Sequence, residues 1–313
     1  MLIGSMTPIN YGDTTYFNLG RSAFAFLVSE IIRPKRIYLP SFVCWSLVTT
    51  VGKRFPEIEL VFYKVNKDLS CDYPKYLYKD ELLVFVHYFG HENKTQLPTY
   101  EGIILEDISH AICSKINYKG HYIFGSLRKE FKIADGGILL KYFNPVYEPS
   151  KKLDTWLKFE STEWKDMREA ENMIDRNWKI CDISSRSLEV YLTSNKDIIR
   201  KIRFRNEHYL FDNITIGKTL FKFSPNESPL IHNRMMNTQK ERDSLRTYLA
   251  KKGVFTSIHW PTHELVKTKL NDIDDILWLE SHIISIPVSQ DYNLNDMEFI
   301  VNSIQRWEKS KRK

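Results

Sequence analysis

The feature that most constrains this chain is a series of short apolar runs in its first half, spaced so that helices fit between several of them. Residues 21–32 carry apolar side chains at helical spacing and stop before Pro34, which cannot continue a helix. Residues 36–39 follow as a short strand, 43–51 as a second helix and 59–65 as another strand. The runs 82–89, 102–108 and 137–142 are too short for core helices and rich in branched residues, which marks buried strands. Buried strands with helices between them argue for an α/β unit built on a largely parallel sheet.

The second half reads differently. A long helix is expected over residues 196–211. Thr238 followed by Glu241 is a capping box that opens a helix ending at Gly253, and Asn295 followed by Glu298 opens another near the C-terminus. Residues 254–260 and 283–288 lie between these helices and read as strands, which makes a small α+β unit. At about 150 residues per domain, the 313 residues divide into a large domain over 1–190 and a small one over 191–313. The charged, Trp- and Glu-rich stretch 144–187 is expected to connect the two.

Composition removes several classes. Apolar residues make up 42% of the chain and Gly plus Pro only 24 positions, so collagen-like and disordered chains are excluded. The formal charge of +6 is spread along the sequence and does not call for nucleic acid; the terminal Lys309, Lys311, Arg312 and Lys313 read as a solvated tail. Cys44, Cys71, Cys113 and Cys181 contain no CxxC pair and read as reduced thiols. Without a signal-like segment or membrane span, a cytoplasmic protein is the expectation, and the sequons at Asn93 and Asn213 read as accidental.

Common motifs fail on inspection. Gly217-Lys218-Thr219 ends like a phosphate loop, but Asp212 stands where the required glycine belongs. His87 and His91 have a zinc spacing only if helical, and Phe89-Gly90 between them follows a strand. GxGxxG and GxSxG are absent.

The segment 105–140 carries more. Asp107 ends one apolar run, Ser126 and Lys129 follow another, and Gly136-Gly137 comes next. In an open α/β sheet, groups at the carboxyl ends of strands are where ligands bind, although a buried Asp–Lys pair would also fit. Glu106-Asp107-Ile108-Ser109-His110-Ala111, Lys129 and the glycine pair together resemble the DegT/StrS family of pyridoxal-phosphate (PLP) sugar aminotransferases. The likeness continues in order through Leu39-Pro40-Ser41-Phe42-Val43-Cys44-Trp45, Val86-His87-Tyr88-Phe89-Gly90, Arg205-Asn206-Glu207-His208-Tyr209, Ile258-His259-Trp260-Pro261 and Ile286-Pro287-Val288. The sequence departs from the family at Leu19-Gly20-Arg21-Ser22-Ala23, which replaces S-G-T-x-A-L, and in having no clear Asn-x-Arg-Met loop between the lobes.

The resemblance implies the fold type I architecture of PLP-dependent transferases, with a mostly parallel sheet in the large domain and a small α+β domain at the C-terminus. It makes Lys129 the residue that holds PLP and moves protons, Asp107 the partner of the ring nitrogen and His110 a contact to the ring or its phenolic oxygen. Ser126 and the helix start at Gly20, Arg21 and Ser22 would hold the phosphate. Either Phe42 or Trp45 would cover the ring, although the family's stacking position aligns with Cys44. His87 and His259 would line the sugar side. The implied reaction moves an amino group from an amino acid, expected to be glutamate, to a nucleotide-linked keto sugar, in a homodimer with shared active sites. Related enzymes with His in place of the lysine dehydrate the sugar instead. The rival reading is a non-catalytic member of the same fold that binds a sugar nucleotide or a partner protein and does not take PLP.

Overall fold

The computed structural model describes residues 14–140, 174 and 178–311. Strand β1 (Thr14–Phe17) leads into helix α1 (Gly20–Phe26), which runs on through a π-helical turn (Leu27–Ile32). Then come β2 (Arg36–Pro40), α2 (Trp45–Arg54), β3 (Glu59–Val65), β4 (Cys71–Asp72), β5 (Glu81–Val86), β6 (Ile103–Asp107), β7 (Tyr122–Ser126) and β8 (Gly137–Leu140). These strands form one 8-stranded sheet in the order β1-β8-β7-β6-β5-β2-β3-β4. The strands from β7 through β3 run parallel, while β8, β1 and β4 pair antiparallel with their neighbours. The mostly parallel sheet follows from strands that are apolar on both faces, as in β5, where every residue is buried.

Chain progression reverses between the adjacent strands β2 and β5. The loops leaving their carboxyl ends therefore diverge and open a crevice, the place where open α/β sheets bind ligands. The start of α1 is fixed beside that crevice by the glycine pair. A side-chain carbon on Gly137 would lie 2.1 Å from the Leu19 carbonyl oxygen, so only glycine lets β8 pass under the helix start. Gly136, at φ +146°, donates its N–H to the Asn18 carbonyl at 2.5 Å.

The remaining elements are α3 (Ser185–Thr193), α4 (Lys196–Asn213), β9 (Ile231–Met235), α5 (Gln239–Lys251), α6 (Glu264–Lys269), α7 (Asp274–His282), β10 (Ile283–Pro287) and α8 (Leu294–Lys311). β9 and β10 pair antiparallel, and a second apolar core gathers Leu210, Leu245, Ile284, Ile286, Met297 and Ile304 around them. No described helix is long and apolar enough to cross a membrane.

Several sequence expectations need correction. The run 82–89 stops being a strand at Val86, because Phe89 (φ 59°) and Gly90 (φ 97°) turn the chain. Residues 254–260 form no strand: a single bridge joins Ser257 to Ser285, and the segment then leaves β10 to pack His259 and Trp260 against Phe89 and His110. The cap of α8 lies two residues earlier than expected. Asn293 Oδ1 accepts the N–H of Asn295 at 2.8 Å, and the Asp296 carboxylate accepts that of Asn293 at 2.8 Å. The Thr238 cap forms as expected, with Oγ1 accepting the Glu241 N–H at 3.1 Å. Of the stretch 144–187, residues 144–173 and 175–177 lie outside the described residues, as do Arg312, Lys313 and residues 141–142 of the run 137–142.

Candidate active site

Asp107 is the last residue of β6 and Ser126 the last of β7, the next parallel strand. Gly20 and Arg21 come from the start of α1, Val43 and Cys44 from the loop after β2, and Lys129 from the 3-10 turn Leu127–Lys129. All of them line one cavity of about 330 Å³, within the range of small-molecule sites. Leu127 is fully buried and pins the turn, which leaves Lys129 half-buried at the cavity wall.

Alternation along β6 sends Glu106 and Asp107 to opposite faces of the sheet. Glu106 is fully buried and pairs with His87 Nε2 at 2.7 Å, and it accepts the N–H groups of Lys119 and Gly120. Burial pushes Glu106 up, but the His87 bond and charge and the two backbone bonds together hold it below its ordinary value. Asp107 meets the reverse balance. Burial raises it, and the bonds from Ser109 and the charges of Lys129 and His87 offset this only in part.

His110 stacks on Trp260 (centroids 5.3 Å apart, planes at 27°) and on Phe89 (5.5 Å, 26°). Its Nδ1 accepts the Phe89 N–H at 3.3 Å, so a neutral ring carries its proton on Nε2. His259 stands edge-on to His110 and Phe89, with Nδ1 2.9 Å from Ser285 Oγ. Burial first, and the Lys129 charge second, push His110 well below its ordinary value and His259 down to about 3. Both rings stay neutral while the unfolded chain takes up protons near 6.5. The stability that this contributes is complete above about 6.5 and is lost as pH falls towards 3. The melting temperature should therefore drop between pH 7.5 and pH 5, and His259→Gln should make that drop smaller; equal slopes in the two proteins would contradict the assignment.

The structure brings together Lys129, Asp107, His110, Ser126, Gly20 and Arg21. Four other expected residues, Ser22, Phe42, Trp45 and His259, stay out of the cavity lining. Ser22 uses its N–H in the first turn of α1 and points its hydroxyl at the Lys179 carbonyl, 3.4 Å away. Phe42 is buried against Tyr88 and Trp260, beneath the cavity wall. Trp45 is 48% exposed and donates Nε1–H to the Pro261 carbonyl at 2.5 Å. His87 does line the cavity, with both ring nitrogens already engaged, Nε2 by Glu106 and Nδ1 by the Asn93 N–H at 3.1 Å. His259 sits behind the His110–Trp260 wall and is not among the lining residues.

Sequence reasoning missed Trp260 and Arg128, both of which line the cavity. Each lies inside a motif that was read for a neighbouring residue. It also missed Ser109, whose N–H donates to Asp107 Oδ1 at 2.8 Å and whose Oγ accepts the Ser126 N–H at 3.1 Å.

No protein-family model matches the sequence, and a search of curated proteins finds no match. Solved structures do match. The aminotransferase TlmJ from Streptoalloteichus hindustanus is 14% identical with a TM-score of 0.66, over 96% of this chain and 87% of that one. Helicobacter pylori PseC, an aminotransferase involved in the biosynthesis of pseudoaminic acid, is 14% identical with a TM-score of 0.66, over 95% and 87%. E. coli GDP-4-keto-6-deoxy-D-mannose-3-dehydratase with bound hydrated PLP is 12% identical with a TM-score of 0.63, over 94% and 88%. The chain has the α/β fold type I of these PLP-dependent enzymes along nearly its whole length.

Proposed function

We propose that the chain is a PLP-dependent aminotransferase of the DegT/StrS type, moving an amino group from an amino acid, with glutamate the first choice, to a nucleotide-linked keto sugar. The observation that carries this reading is that the Lys129 amine, the Asp107 carboxylate and the Ser126–α1 corner open into one cavity. These groups suit the aldehyde, ring nitrogen and phosphate of PLP in turn. Gly20 makes the phosphate corner tight: a side-chain carbon there would sit 3.0 Å from Ser126 Cβ, so glycine lets the helix N-terminus and the serine approach one anion together. Among the described residues the lining carries the cations Arg21, Arg128 and Lys129 against the carboxylate of Asp107. Such a balance favours anionic ligands, which PLP, an amino acid's carboxylate and a sugar nucleotide all are.

Bound there, PLP supplies an electron sink for the carbanion formed at the amino-acid α-carbon. Lys129 provides the amine that holds it and then moves the proton at that carbon. Asp107, ionised, keeps a proton on the ring nitrogen. The neutral His110, stacked with Trp260, walls one side of the cavity. A lysine at position 129 favours amino transfer over the dehydration named for the E. coli neighbour. The same reading includes cytoplasmic biosynthesis of sugars for surface polysaccharides or secondary metabolites, and the likeness to PseC, named for pseudoaminic acid biosynthesis, supports its sugar-biosynthetic part.

Incubation with PLP, glutamate and a panel of nucleotide-linked keto sugars should yield an aminated sugar nucleotide, detected by mass, with one α-ketoglutarate per product. If no sugar in the panel is aminated and no α-ketoglutarate appears, the reading fails. A homodimer with shared sites belongs to the same reading, since two-fold dimers are the commonest closed assembly. Light scattering should then show a dimer at micromolar protein that loses PLP on dilution; a monomer with full activity would remove the shared site and leave the rest standing.

A further inference from the structure

The hydroxyl of Ser109 stands where the parallel ladder between β6 and β7 gives out. Asp107 is in register with Phe124, and the Ile108 N–H donates to the Phe124 carbonyl at 2.9 Å. In a continuing parallel ladder the next bond would run from the Ser126 N–H to the Ile108 carbonyl. That carbonyl instead accepts the Ala111 N–H at 2.8 Å as the chain turns out of β6. Ser109 Oγ takes its place and accepts the Ser126 N–H at 3.1 Å. The Ser109 N–H meanwhile donates to Asp107 Oδ1 at 2.8 Å. A hydroxyl has one proton and two acceptor sites. Ser109 therefore bridges the two strand ends, its hydroxyl holding the Ser126 N–H and its own N–H holding the Asp107 carboxylate.

We propose that Ser109 is a positioning residue whose N–H and hydroxyl together tie the Asp107 carboxylate to the backbone of Ser126, and so fix the spacing between the two ends of the cofactor cavity. Other groups act on Asp107 as well: Lys129 from the turn after β7, His87 from the loop after β5, Tyr63 from β3, and Tyr88. All of these remain when the hydroxyl is removed, so a change in Asp107 on its loss reports on Ser109. The effect on the carboxylate does not depend on what binds in the cavity; only the effect on PLP rests on the proposed function.

The test follows the Asp107 carboxyl carbon by isotope-edited NMR in the ligand-free protein, assigned by its loss in Asp107→Asn. Ser109→Ala should move the Asp107 titration upward, because the hydroxyl anchor on Ser126 that holds the Ser109 N–H against the carboxylate is gone, and Ser109→Thr, which keeps the hydroxyl, should bring it back. PLP affinity by equilibrium dialysis should fall about tenfold in Ser109→Ala and recover in Ser109→Thr. An unmoved titration in folded Ser109→Ala overturns the proposal, as does a failure of Ser109→Thr to restore it. Should Ser109→Ala not fold, Ser109→Cys, a weak donor and acceptor of similar size, must shift the titration in the same direction, and no shift overturns the proposal. A titration that moves in Ser109→Ala while the wild type binds no PLP supports this inference and defeats the functional reading instead.

Discussion

Replacing Lys129 with alanine abolishes covalent retention of PLP and lowers turnover by at least the roughly 10²- to 10⁴-fold that a lost general base costs. The measurement is borohydride reduction of the PLP-loaded protein followed by peptide mapping, which should place the adduct on Lys129 in the wild type and nowhere in the variant. The other lysines of the segment are committed elsewhere. Lys119 Nζ donates to the carbonyls of Asn93 and Thr95 at 3.0 and 2.9 Å, and Lys132 pairs with Asp291 at 3.1 Å. Lys115 lies 3.7 Å from Asp197. None of the three lines the cavity. An adduct on any of them, or on Lys129→Ala protein, would defeat the assignment.

Asp107→Asn should separate function from stability. A neutral amide cannot hold a proton on the ring nitrogen, so single-turnover reaction with glutamate should slow by about 10²-fold or more while some PLP binding survives. The ligand-free protein should become more stable. Burial raises Asp107 above its ordinary 3.8 in the folded state, so folding favours the protonated acid, and the ionised form costs stability once pH passes through the raised value. The cost disappears below the unfolded value. The variant should therefore melt higher than wild type at pH 7, with the gap closing towards pH 3. A lower melting temperature at pH 7, or an unchanged rate with glutamate, would contradict the role given to Asp107.

How far the sequence was legible depended on which force sets each element. β3 and β6 could be read because they are apolar on both faces and bounded by turns. β9 could not, because His232, Asn233 and Arg234 break the alternation; they are buried all the same, and His232 Nδ1 is bonded by Glu207 from α4 at 3.0 Å. The reverse failure occurs at 254–260, where a strand-like composition yields to the packing of His259 and Trp260 around His110. In the site, residues fixed by strand ends and glycine contacts, such as Asp107, Ser126 and Gly20, come together at one cavity. Side-chain direction after a turn was not readable. His87 and Phe42 stand in matching motifs, yet the Glu106 carboxylate holds one and the Tyr88–Trp260 cluster buries the other. Ser109 was illegible because its importance lies in a missing ladder bond, which only the pairing of β6 with β7 reveals.

The most direct test of the central claim is the visible absorption spectrum of purified protein loaded with PLP, recorded before and after glutamate is added in the absence of any sugar. The account requires a yellow band from PLP held on Lys129 that bleaches with glutamate and releases about one α-ketoglutarate per site, with no bleaching in Lys129→Ala. A folded protein that shows no such band at saturating PLP, or a band that glutamate and other amino acids leave unchanged, would contradict it.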